Sequence, residues 1–218
     1  IYEAILENPF EGMSIFFSDG DMSGHSYRYV SRIRYFGDSS SFMIVRLSTL
    51  FDLITFSTYS ATAVLFATFN MIGMWCLYLF FKMATGSKSR LLAIGILFVP
   101  SVIFWGSGIL KDSVTLACIG MALYAIQNIL VRSKLSFFNV ILLVGSLYLL
   151  LVIKLYILLC LIPSVLVYLY LVKVRQIRSL MLRYLISPFL FSLTILFAYL
   201  AVENVSLTDS KYEIDNIA

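Results

Sequence analysis

From Thr58 to Val202 the chain alternates long apolar runs with short polar breaks. A hydrocarbon core of ~30 Å takes about 20 apolar residues in a helix that rises about 1.5 Å per residue. Measured against that length, the runs predict six spans, at 58–81, 91–110, 109–131, 135–153, 155–172 and 184–202. Gly86-Ser87, Gly106-Ser107-Gly108, Arg132 to Lys134, Lys154 and the basic stretch 173–183 separate them. The run 135–172 holds one charge, Lys154. As a single helix it would reach about 57 Å, nearly twice the core. It is therefore split at Lys154, which falls in a tight turn at an interface. Pro163 predicts a kink in the second half.

Residues 1–57 have a different texture. Asn8-Pro9, Asp19-Gly20, Ser23-Gly24 and Gly37-Asp38 punctuate a polar loop, with a short helix near Tyr27 to Tyr35. A helical pattern begins at Ser39, with Ser39, Ser40 and Ser41 as its caps. Phe42, Val45, Leu50, Leu53 and Ile54 share an apolar face, and Arg46 and Asp52 lie off it. That pattern predicts an interfacial helix lying in the membrane plane. Residues 203–218 form a polar tail. The chain starts at Ile1, not Met, so a piece of a longer protein is expected, with earlier spans missing.

Composition agrees with the pattern. The chain is 61% hydrophobic and only 13% charged, against about 25% charged in a soluble domain. Its mean hydropathy is +0.94. The fold class that follows is all-α, a polytopic membrane helix bundle. The alternating short segments of a β-barrel are missing. Cys76, Cys118 and Cys160 sit far apart in apolar runs and form no metal or disulfide pattern.

Charge then orients the bundle. With six spans, the segments 82–90, 131–134 and 173–183 fall on one side. They hold Lys82, Lys88, Arg90, Arg132, Lys134, Lys173, Arg175, Arg178 and Arg183, and no acid. All 12 acidic residues fall on the other side. The positive-inside rule makes the basic side cytoplasmic.

That orientation puts the candidate chemistry on the outer face. Asp19 and Asp21 flank Gly20, with His25 close by. A carboxylate there can act as a general base, or the cluster of Asp19, Asp21 and His25 can hold a divalent cation. Short acidic turns also occur with neither role. Lys111-Asp112 follows a glycine break. Asp112 suits the positive end of a helix, but Lys111 does not, which favours Lys111 as an anion ligand beside Trp105. Lys154 either snorkels from its turn or adds a second cation. Together with Arg28 or Arg32, the two lysines suit a diphosphate at the membrane surface. No glycine-rich phosphate loop or zinc motif is present, and no nucleic-acid partner is indicated.

The run Phe104-Trp105-Gly106-Ser107-Gly108-Ile109-Leu110-Lys111-Asp112, preceded by Pro100-Ser101, resembles a segment of bacterial membrane proteins of polysaccharide assembly. These are GT-C-type glycosyltransferases and related repeat-unit polymerases. Lys154-Leu155-Tyr156 resembles a basic-aromatic turn between two spans of the same proteins. The resemblance implies a bacterial inner-membrane enzyme whose site faces the periplasm or exterior. It would take sugar from a polyprenyl-phosphate or polyprenyl-diphosphate carrier in cell-surface glycan assembly. In that family the first outer loop carries a catalytic acid, followed by a helix along the membrane surface. Asp19 or Asp21, and then Ser39 to Phe56, match that order. A transporter is the rival from another class, but its marks are ionisable residues in mid-span, and the spans here carry almost none. A non-catalytic membrane scaffold is the third reading.

Overall fold

A computed structural model describes residues 1–18, 27–31, 33, 38–86 and 90–174, with single positions at 192, 195 and 199. Helix accounts for 86% of what is described, with no strand among the described residues, so the all-α class holds. Among the described residues three helices are long and apolar enough to cross a membrane: Tyr59–Thr85, Lys111–Val131 and Leu155–Val172. The span expected at 184–202 and the tail lie outside the described residues.

The centre is the crossing of α5 (Tyr59–Thr85) and α8 (Lys111–Ile126). Small residues let the two backbones touch. A Cβ added to Gly73 would lie 2.2 Å from Ala117 Cα, and one added to Gly120 would lie 2.0 Å from the Gly73 carbonyl oxygen. Helices in lipid gain no hydrophobic drive from burying apolar surface, so such close packing is what associates them. Phe66, Val114 and Cys118 fill the adjoining core.

Around this pair the chain departs from the expected pattern in three places. The span expected at 91–110 is two short helices, α6 (Arg90–Leu97) and α7 (Pro100–Gly106). Pro100 disfavours helical backbone at the residue before it, and Val99 is extended at φ −73, ψ 118. Gly106 then closes against α5, where a Cβ would meet Asn70 Nδ2 at 1.9 Å. The next span starts at Lys111, not at 109, because Leu110 is extended. It ends in a π-helical turn, Gln127–Val131.

Residues 1–18 are the second departure. They form α1 (Tyr2–Glu7) and α2 (Pro9–Phe17) where a loop was expected. Asn8-Pro9 reads as a turn, but Pro in the first helical turn starts a helix as readily, since its missing N–H needs no partner there. The short α3 (Tyr27–Val30) follows. Ala4, Ile15, Val30 and Phe42 make a satellite core that seats these helices on α4 (Ser39–Thr55). The third departure lies in α4 itself. Its N-cap is Asp38, not a serine. Its buried face carries Phe42 and Ile44, while Leu50, Leu53 and Ile54 are exposed.

The split at Lys154 is as expected. α9 (Phe137–Ile153) ends there and α10 (Leu155–Val174) begins, with Lys154 itself at φ −147, ψ 79. α9 is apolar but only 17 residues long. α10 turns back along the bundle, so that the Tyr168 hydroxyl donates to Gln127 Oε1 at 2.6 Å and its ring meets Phe80. The bundle thus has two ends. One gathers Asp38, Asp52, Lys111, Asp112 and Lys154, with Thr62 donating to Asp52 Oδ1 at 2.6 Å. The other carries Lys82, Gln127, Arg132 and Tyr168.

The crossing sets the first expected outcome. Gly120→Leu forces the α5 backbone away and costs about 3 kcal/mol or more, the upper end of overpacking effects. Gly145→Leu, at a site with nothing within 4 Å, changes stability little. Thermal unfolding in detergent, followed by size-exclusion chromatography, compares the two.

Candidate functional site

Lys111 and Asp112 are the first two residues of α8. Neighbours on a helix point about 100° apart, so the two side chains reach different partners. Lys111 Nζ lies 3.2 Å from Asp38 Oδ2 and 2.7 Å from Ser40 Oγ, at the start of α4. The Ser40 and Ser41 hydroxyls donate to the same Asp38 carboxylate. Asp112 pairs with the Lys154 ammonium, in the break between α9 and α10. Adjacent charges therefore tie two separate parts of the chain to one helix end. The turn before α8 is fixed as well, because Ser113 Oγ donates to the Gly108 carbonyl at 2.6 Å and lies 3.2 Å from that of Trp105.

The second pair lines a cavity of about 260 Å³. Ser101 and Trp105 come from α7, Asp112 and Thr115 from α8, Lys154 from the α9–α10 break and Ile157 from the first turn of α10. Trp105 is half exposed and holds an edge-to-face contact with Phe104. Lys154 is partly buried, which by itself pushes its ammonium towards the neutral form. The Asp112 carboxylate and the Tyr156 hydroxyl more than offset this, and the pKa stands above the ordinary 10.5. The Tyr156 ring centroid lies 6.0 Å from Lys154 Nζ. Such a site offers a carboxylate acceptor, an ammonium donor and a flat indole beside apolar wall.

Of the residues singled out in the sequence, Trp105, Asp112 and Lys154 are brought onto this one cavity. Lys111 is beside it but turned to Asp38. The expectation that Lys111 lacks a structural reason at a helix N-terminus is corrected: Asp38 supplies one. Both lysines are matched by carboxylates, so the four charges of the two pairs sum to zero, and an incoming phosphate has to compete with Asp112 for Lys154. Asp19, Asp21, His25 and Arg32 lie outside the described residues. The backbone of Arg28 is in α3, and its side chain lies outside what is described. Among the described residues no group of three or more His, Cys, Asp or Glu could hold a metal ion. Asp38, Ser101 and Thr115 were not legible as site residues. Asp38 gave only the signal of a Gly37-Asp38 turn before three serines.

The raised pKa of Lys154 fixes a pH signature. A cation whose folded pKa exceeds its unfolded one contributes stability that is complete below the unfolded value and is lost as pH rises through the folded one. The stability gap between the parent and Lys154→Met is expected to be about 1 kcal/mol, as for a partly exposed pair. It stays constant between about pH 6 and pH 9 and shrinks only above the ordinary lysine range. Chemical unfolding at several pH values measures it.

Comparison with known protein families, with curated proteins and with solved structures finds no match for this chain.

Proposed function

We propose that this chain is part of a multi-pass glycosyltransferase of a bacterial inner membrane, drawing sugar from a polyprenyl-phosphate or polyprenyl-diphosphate carrier at the outer face. The observation that carries the reading is the cavity shared by Trp105, Asp112 and Lys154 at the carboxylate-bearing end of an apolar bundle. Six spans, with α4 along the outer interface, complete the arrangement. The exposed Leu50, Leu53, Ile54 and Phe56 give α4 an apolar face to set into that interface. Sorting of acidic and basic residues to opposite sides gives the orientation.

In this reading the indole face of Trp105 receives a sugar ring, and Ser101 and Thr115 offer hydroxyl partners. The bond from the sugar's anomeric carbon to the carrier phosphate oxygen breaks, and the phosphate leaves with the electron pair. An acceptor hydroxyl forms the new bond to that carbon and gives its proton to a carboxylate. Asp19 or Asp21 takes that role by resemblance, and Asp112 is the carboxylate on the cavity wall. Lys154, with Arg28 or Arg32, stabilises the charge growing on the departing phosphate. A repeat-unit polymerase would use the same donor and the same chemistry, with a growing glycan as the acceptor.

One observation favours a second reading, a non-catalytic membrane scaffold: the lysines at this end are already matched by carboxylates. Binding of a short-chain polyprenyl phosphate to the purified protein separates the two. The enzyme reading expects Lys154→Ala to weaken binding about ten-fold, the value of one charge-assisted contact. Lys111→Ala lowers stability instead and leaves affinity near that of the parent. A parent protein that does not bind the probe, or variants that all bind alike, would leave the scaffold reading standing.

A further inference from the structure

The opposite end of the bundle carries a second and larger cavity, of about 420 Å³. Leu79, Lys82, Met83 and Gly86 line it from the end of α5, and Tyr124 and Arg132 from the end of α8 and its π turn. Its charges are arranged differently from those of the first cavity. Among the described residues no carboxylate lines it, and neither Lys82 nor Arg132 forms an ion pair. Lys82 Nζ lies 5.8 Å from the centroid of the Tyr78 ring, which steadies the ammonium without neutralising it. Two cations on one cavity repel each other, and an anion between them relieves that repulsion.

The cavity is also graded along the bundle. Its cations sit at the ends of the helices, while Leu79 and Tyr124 lie about one and about two turns further in. A free phosphate matches the cations alone. A phospholipid matches the whole gradient, with its phosphate at the helix ends and its glycerol and first acyl carbons against the apolar wall. Basic pockets between membrane helices are known to take anionic headgroups on these grounds.

We infer that this cavity binds the headgroup of an anionic phospholipid, with Lys82 and Arg132 on the phosphate diester and Leu79 and Met83 against the adjoining apolar part. The inference uses no residue of the Trp105–Asp112–Lys154 site, so either can fail without the other.

The test titrates the purified protein in detergent with phosphatidylglycerol, phosphatidylcholine or inorganic phosphate. Native mass spectrometry counts bound lipid, and thermal unfolding reports stabilisation. Phosphatidylglycerol is expected to bind and to raise the melting temperature, while the other two do neither. Lys82→Gln with Arg132→Gln weakens binding about thirty-fold, from the loss of two surface charges. Lys82→Arg with Arg132→Lys keeps the charge and retains binding, which guards against a folding artefact. Arg90→Gln with Lys134→Gln removes two exposed charges that do not line the cavity and changes little. Three outcomes overturn the inference: equal loss from the Arg90 and Lys134 changes, equal stabilisation by inorganic phosphate, or parent-like binding by the glutamine pair.

Discussion

The constraint on which this architecture rests is the divergence of two adjacent charges. Lys111 and Asp112 open α8, and each turns to a partner on a different neighbour, Asp38 on α4 and Lys154 in the α9–α10 break. In water such part-exposed pairs contribute little, at most about 1 kcal/mol each. At the end of an apolar bundle the comparison changes. An unmatched charge carried into the hydrocarbon costs roughly 2.5–3.5 kcal/mol on insertion scales. Matching each charge lets an ionised dipeptide sit at the head of a membrane-length helix and fixes what lies around it.

Those pairs meet only because the helices beneath them are in register. The contact of Gly73 with Ala117 and Gly120 brings α5 and α8 together at backbone distance. Asn70, one turn earlier on α5, closes on Gly106 and so holds the end of α7 in place. Trp105, the preceding residue, is then carried to the cavity wall next to Asp112. The sequence of causes runs from small residues, to close helices, to a positioned turn, to a shared cavity. The two ends of the bundle come out chemically unlike. At one, each lysine is paired with a carboxylate, and at the other, among the described residues, the cations Lys82 and Arg132 have no carboxylate beside them.

How much of this was legible before the structure differs from one feature to the next. The break at Lys154 was, because a 38-residue apolar run is too long for one crossing and Lys154 is its only charge. The second span misled because apolar content alone hides what Pro100 does to Val99. The helices of residues 1–18 were hidden in a similar way, since Pro9 after Asn8 serves a turn and a helix start equally well. Trp105, Asp112 and Lys154 were picked out by chemistry, but their meeting was not derivable from spacing. Lys111 was misjudged for the same reason. Its partner Asp38 lies 73 positions away, and a lysine at a helix N-terminus looks unexplained until that distance is closed by folding.

The direct test of this arrangement is an exchange of charge between positions 112 and 154. Asp112→Lys and Lys154→Asp, made singly, each place two like charges together, and each should lower the melting temperature in detergent. Combined in one chain they restore an opposite pair, and stability should return most of the way to that of the parent. A double variant as unstable as the sum of its two singles would contradict the pairing and remove the cavity's charged wall from the account.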